Sequence, residues 1–280
     1  MQKRQSIFLG LVACCLVLSF IACKKTAKDA ATDVTAAQDN TMAETNYNDA
    51  NNMVDLAAAT GVSFSFRTET GSNTARIEEV LGTCATVSVD TVARKITIDF
   101  GATDCTGPDL RKRRGKVIAT WTGSYRTPGT VINITFDNYF VNNNQIMGTH
   151  KTTNMGLVNG NLVYKIEVDG SIKKPIGGTI TWKSTRERAW TAGMNTPSNP
   201  LDDEYSITGT ASGTTVLGTS YSINITQPLV RKMSCYFFES GKIELTPTGG
   251  STMTLDYGNT GCDAKATVSV GPLSYNIDLF

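Results

Sequence analysis

The sequence holds a single histidine, His150, in 280 residues. One imidazole cannot build a multi-histidine metal cluster, and any Ser-His-Asp arrangement would have to use it. Charge of one sign is not in surplus either, with 26 Lys and Arg against 25 Asp and Glu. A nucleic-acid binder normally carries a strong basic excess, so nucleic acid is not an expected partner. No Cys-x-x-Cys spacing occurs among the seven cysteines, which argues against a zinc site or a thioredoxin-like motif. Neither metal nor cofactor is expected. The longest apolar run, Ile7 to Ala22, is 16 residues long, short of the roughly 20 that a membrane-spanning helix needs.

That run reads as a signal peptide over residues 1–22. Lys3 and Arg4 open it, and Lys24 and Lys25 close it abruptly. Ordinary cleavage after Ala22 would want a small residue three places before the cut, where Phe20 stands. The stretch Ser19-Phe20-Ile21-Ala22-Cys23 instead resembles a bacterial lipobox, in which the cysteine is lipidated and becomes the first mature residue. Leu11-Val12-Ala13-Cys14 fits a lipobox letter by letter but would leave an apolar core of only seven residues, Ile7 to Ala13. Cys23 is therefore the expected lipid site and the expected link to the membrane, each buried CH₂ adding about 0.8 kcal/mol. Beyond it remain Cys84, Cys105, Cys235 and Cys262. An even number in an exported chain implies disulfides.

Residues 23–41 contain one Val and no other large apolar residue, and read as a lipidated flexible tether. Residues 42–60 place Met42, Tyr47, Met53, Val54 and Leu56 at loosely helical spacing, with Gly61 able to stop a short helix. From residue 61 to 280 the character changes. Short runs alternate apolar residues with Thr or Ser, bounded by Gly, Asn, Asp and Pro, as in KITIDF (95–100) and TVINITFDNYFV (130–141). Connections short enough for hairpins make an antiparallel meander the natural topology. The expected fold class is all-β: about 12–14 strands forming a sandwich or a curved half-barrel, preceded by a short N-terminal helix.

Internal repetition supports this. ITIDFGATDC (96–105) matches MTLDYGNTGC (253–262), GKVIATWTG (115–123) matches GKIELTPTG (241–249), and ATVSV occurs identically at 85–89 and 266–270. The order of these strings differs at the two ends, so the reading is reuse of a hairpin unit and not a tandem duplication. Hairpin register brings Cys84 within reach of Cys105 and Cys235 within reach of Cys262, with the crossed pairings as alternatives.

The strings ATVSVD (85–90), ITIDFG (96–101), RRGKV (113–117), ITFDNY (134–139), GTITW (178–182), DDEYSITG (202–209) and LVRKMSC (229–235) resemble cell-envelope lipoproteins of Bacteroidetes-type bacteria. The resemblance implies an outer-membrane lipoprotein, facing the periplasm or the surface, and a β domain. It implies no activity.

Candidate chemistry is sparse. Asp202, Asp203 and Glu204 can offer oxygens to a hard cation, though adjacent acids lack the spacing of a dedicated loop. Asp99, Asp137 and Asp256 would suit glycosidase chemistry only if two lay about 5–10 Å apart. Arg111-Lys112-Arg113-Arg114 is a basic run that can meet anionic headgroups or simply lie in solvent. The most informative pattern is the strand 179–190. A period of two sets Trp182, Arg186, Arg188 and Trp190 on one face. Such a face can stack sugars and pair acidic groups, or it can be core with the arginine stems as cover. The expected function is a non-catalytic binding or structural module with a glycan or envelope-protein partner. The alternatives are a carboxylate-based glycoside hydrolase and a carrier of lipid or lipopolysaccharide.

Overall fold

The computed structural model describes residues 27–60, 81–196, 199–259 and 261–279. Cys23, the expected lipidation site, and the expected leader lie outside the described residues.

One helix, α1 (Ala27–Thr60), precedes every strand. It starts well before the expected position and runs through most of the stretch read as a tether. The correction has a local cause: residues 27–60 hold no Gly and no Pro, and alanines recur throughout. The strands follow as β1 (Thr86–Asp90), β2 (Lys95–Asp99), β3 (Cys105–Thr106), β4 (Lys112–Trp121), β5 (Val131–Val141), β6 (Asn144–Val158) and β7 (Asn161–Lys173). The second half comprises β8 (Thr179–Ala192), β9 (Glu204–Thr214), β10 (Ser220–Lys232), β11 (Ser240–Pro247), β12 (Met253–Asp256), β13 (Lys265–Val270) and β14 (Leu273–Asp278), with a 3₁₀ turn η1 (Pro200–Asp202) between β8 and β9. All belong to a single antiparallel sheet in the order β1-β2-β4-β5-β6-β7-β8-β9-β10-β11-β12-β13-β14, β3 pairing with β4 beside this path. The meander and the strand number agree with the sequence reading. A single sheet excludes the sandwich, and it is curved without closing into a barrel.

Curvature is explained by what lies inside. α1 touches strands from β2 across to β11, so the sheet wraps around it. Residues 36–58 of the helix are almost all buried, on every side. Ala36, Ala37, Ala43, Ala50 and Ala57 are fully covered, and their small side chains let the strands come close. At one close approach, Gly170 of β7 lies under the phenol of Tyr47, and a Cβ there would collide with that ring.

The repeated strings have a geometric meaning. Val168 of β7 stands opposite Ser184 of β8. Stepping outward from Val168 gives His150, Ile134, Ala119 and Ile96 as successive partners. Stepping outward from Ser184 gives Ala211, Ile223, Leu245 and Met253. The two paths arrive at the first residues of ITIDF and MTLDY. One strand further, Val87 faces Ile98 and Val268 faces Leu255, the same positions of the two ATVSV strings. The halves of the sheet thus correspond by register about the β7–β8 pair, with chain order reversed, which is why no tandem repeat is visible. Details repeat as well. Asp99 pairs with Lys116 at 2.9 Å and Asp256 with Lys242 at 2.9 Å. Each aspartate also accepts a hydrogen bond from the glycine two residues on, Gly101 or Gly258. Gly148 and Gly209 hold equivalent left-handed positions, at φ of 111° and 122°.

Disulfides join Cys84 to Cys105 and Cys235 to Cys262, with Cα atoms 5.7 Å and 5.5 Å apart. These are the pairings favoured by hairpin register, and each staples one end of the sheet. By the chain-entropy model each contributes about 3 kcal/mol.

Overpacking tests the helix–sheet contact. Gly170→Ala should destabilise the protein by about 1–3 kcal/mol in urea unfolding. Combined with Tyr47→Leu, its cost should be smaller than in the wild-type background. Strict additivity would show that Tyr47 does not press on β7.

Candidate functional site

The candidate site is the trough enclosed by the sheet, together with the helix that fills it. Trp182, Arg186, Arg188 and Trp190 do share one face of β8, as period two requires. That face is the inner one, and all four side chains are buried, none more than 4% exposed. Of the two readings of this stripe, ligand face or core, the burial fits the core one: Trp182, Arg186 and Arg188 meet the protein's own α1, and Trp190 packs on Tyr125 and Tyr205. The sequence pattern fixes which residues share a face, not whether that face looks inward.

The helix meets them with acids. Steps of five residues turn an α-helix by about 140° beyond a full turn, so Asp39, Glu44 and Asp49 point in different directions and reach different strands. Asp39 pairs with Lys174 at 2.9 Å and accepts the Val216 backbone N–H at 2.8 Å. Arg186 donates to Glu44 at 2.8 Å, and the Trp182 indole N–H donates to Asn40 at 2.9 Å. Arg113 bridges Asp49 at 2.7 Å and Asp109 at 2.6 Å, with Arg111 3.5 Å from Asp49. Arg188 lies 3.5 Å from Asp55 and donates to the Tyr125 hydroxyl at 2.7 Å. Rings complete the contact: Tyr47 stacks on Trp182 at 5.7 Å, and the Arg188 guanidinium covers the Tyr205 ring at 4.4 Å.

Burial alone would raise the Asp49 carboxyl; Arg113 and Arg111 outweigh it and hold it below the ordinary carboxylate range. Arg113 is pulled down by burial, yet Asp49 and Asp109 raise it on balance. Arg231 is pushed down to about 10, chiefly by burial. Charges this deep carry a desolvation penalty of several kcal/mol each, so the helix and the trough depend on one another.

The other candidates do not converge. Asp202 bonds the Thr196 hydroxyl, Asp203 is fully buried and accepts from Tyr205, and Glu204 faces Lys232. Among the described residues no group of three His, Cys, Asp or Glu is placed to hold a metal ion. Asp99 and Asp256 are tied to lysines at opposite ends of the sheet, and Asp137 bonds Asn138. The basic run alternates: Arg111 and Arg113 face inward, while Lys112 and Arg114 face out, Arg114 pairing with Asp104. His150 is buried in β6 and faces the helix side of the sheet. Two concavities stand out. One of about 570 Å³ crosses the outer face of β6–β9, lined by Thr149, Lys151, Glu167, Asp169 and Lys183. Another of about 200 Å³ lies beside α1, lined by Asn52, Leu56, Leu201, Arg231 and Tyr236.

The residues that sequence reasoning missed are Asp39, Glu44, Asp49 and Asp55. The available signal was acids recurring every five or six residues in a stretch without Gly or Pro, beside arginines alternating in two strands.

Breaking one buried pair should be severe. Glu44→Gln or Arg186→Met alone should cost about 3–5 kcal/mol, because each leaves a buried charge without its partner. The double change Glu44→Leu with Arg186→Leu should cost less than either, as read by urea unfolding. Equal or greater loss in the double variant would show that the pair itself supplies the stability.

Acid should weaken the fold. Burial, and then the charge of Arg188, push the His150 imidazole down to about 3 from 6.5. The unfolded chain gains a proton near pH 6.5 that the folded chain takes up only near pH 3. Stability therefore falls as pH drops through that window, by up to about 1.4 kcal/mol per pH unit. His150→Leu should flatten the dependence of the urea midpoint between pH 6.5 and 4. An unchanged slope would assign the acid sensitivity to other groups.

Comparison with protein-family models, curated proteins and solved structures found no match to this chain.

Proposed function

We propose that the chain is a membrane-anchored lipoprotein of the cell envelope, most consistent with the outer membrane, and that its β domain is a non-catalytic structural or binding module. The observation that carries the second part is the filled trough. Trp182, Arg186 and Arg188, which could have read a glycan, are engaged by Asn40, Tyr47, Glu44 and Asp55 of α1, Trp190 packs between Tyr125 and Tyr205, and the three strand aspartates each serve local bonding. Neither the hydrolase nor the carrier reading draws support from this arrangement: among the described residues the inner face is polar, buried and occupied by the protein's own helix, not a dry trough for an acyl chain.

The anchor reading rests on the leader and Cys23, and the two disulfides fit an oxidising compartment. Only four positions separate Cys23 from the start of α1 at Ala27. At about 3.6 Å per residue that gap spans under ~15 Å. On this reading the lipid is joined directly to the element at the centre of the fold, so the domain stands close to the bilayer instead of swinging on a long leash.

Three variants test the proposal. Cys23→Ala should abolish labelling with a fatty-acid probe and release the protein from membranes; retained labelling refutes the anchor. Trp182→Ala should destabilise the fold by about 3–5 kcal/mol, while glycan-array binding by Arg186→Leu, refolded and measured at low temperature, should match the wild type. Glycan binding by the wild type that Arg186→Leu removes would restore the inner face as a ligand site.

A further inference from the structure

We propose that the outer edge of β1 is a strand-acceptor site, filled by a partner protein that donates an extended segment with bulky apolar residues at every second position.

The template is inside the molecule. Residues 85–89 and 266–270 are the same string, ATVSV, and they occupy corresponding places in the two halves of the sheet. At the second place the string carries a neighbour: β14 pairs antiparallel with β13, setting Ile277 opposite Ala266, Tyr275 opposite Val268 and Leu273 opposite Val270. There Ala266, Val268 and Val270 are buried, Val268 completely. At the first place, among the described residues, no strand pairs with the outer edge of β1. Its Ala85, Val87 and Val89 pack against the core yet stay only half-buried. Identical side chains on corresponding positions thus differ in burial, and among the described residues the difference is one strand, present beside β13 and not beside β1.

An uncovered edge presents a row of unsatisfied N–H and C=O groups, which proteins usually blunt with Lys, Pro or a bulge. β1 reads Thr-Val-Ser-Val-Asp and has none of these. Strand addition supplies affinity through the backbone and specificity through alternate side chains. The pairing of β14 on β13 gives the rule for the incoming strand: antiparallel, with an aromatic opposite Val87 and branched aliphatics on either side.

A second copy is the poorer donor. Each chain has one β14, already covering β13; passing it to a neighbour's β1 would uncover Val268 and Val270 and gain nothing net. A foreign strand carries no such cost. The inference deepens the binding-module reading and rests on it, but it does not depend on the lipid anchor.

The probe is a synthetic peptide with the sequence of residues 271–279, Gly-Pro-Leu-Ser-Tyr-Asn-Ile-Asp-Leu, added to the purified full chain. In the protein alone, those amides of Thr86–Asp90 that point away from β2 should exchange rapidly with deuterium. Saturating peptide should slow them about ten-fold or more, and a scrambled peptide should not. Val87→Lys should weaken peptide binding about ten-fold, corresponding to ~1.4 kcal/mol, without changing the thermal midpoint by more than a few degrees. Three results would each overturn the proposal. Slow exchange at the outward-pointing amides of Thr86–Asp90 without peptide would mean that the chain covers its own edge. Peptide binding untouched by Val87→Lys would place the peptide elsewhere, for example on β13. Protection that grows with protein concentration alone would make a second copy the occupant. Membrane release of Cys23→Ala reads the anchor separately, so failure at β1 leaves that result standing.

Discussion

The burial of four helix carboxylates against basic groups of the sheet is the interaction on which the rest of the structure depends. Asp39, Glu44, Asp49 and Asp55 are each at most a few per cent exposed, and the groups that neutralise them come from the loop after β7, from β8, and from the start of β4. Buried charge without a partner is among the costliest arrangements in a protein. The sheet cannot curl without the helix, since its arginines would face an empty trough. Nor can the helix bury all its sides without the sheet. Helix and sheet are therefore expected to form in one cooperative step, even though they are separated in the chain.

The same interaction explains where the sheet departs from its internal correspondence. Register maps β7 onto β8, so Gly170 corresponds to Arg186, Ile172 to Arg188 and Ile166 to Trp182. The backbones repeat, but at the central strands β7 and β8 the side chains facing the trough do not. A helix has a direction and a sequence, and it cannot offer the same groups to two equivalent surfaces. Gly170 makes room for the Tyr47 ring, whereas its counterpart Arg186 reaches for Glu44. On the outer side no such demand exists, and there the Asp–Lys pairs and glycine turns survive at both ends of the sheet.

Much of this was legible in advance. Alternation in KITIDF and TVINITFDNYFV marks strands whatever packs on them, and the cysteine pairings follow from hairpin geometry. The meander follows from short connections. What could not be read is what depends on contacts distant in sequence. Residues 27–41 look like a tether because polar residues usually mean solvent, and nothing local says that Lys174 or Trp182 waits for them more than 130 residues away. For β8 the period identified the members of a face, but Trp and Arg together suit a wet face and a buried polar one equally well. Asp203 is a similar case: in a run of three acids it can offer oxygens to a cation, yet it is fully buried and accepts a hydrogen bond from the Tyr205 hydroxyl.

A polar helix at the centre of a fold is an unusual solution, and its composition suits the setting proposed for it. Between Ala27 and Thr60 the large apolar side chains are few: Val34, Met42, Tyr47, Met53, Val54 and Leu56. An amphipathic helix beside a lipid anchor would tend to lie down in the interface, since buried apolar area drives that binding. This helix has no apolar stripe to insert, because its acids and asparagines point in all directions. Its affinity is instead reserved for a surface that can match each carboxylate with a guanidinium or ammonium group at the right height, and only the trough does so. The alanines then settle the packing distance. With their methyl groups against the strands, the acids reach the basic groups directly, and a bulkier helix would hold those pairs apart.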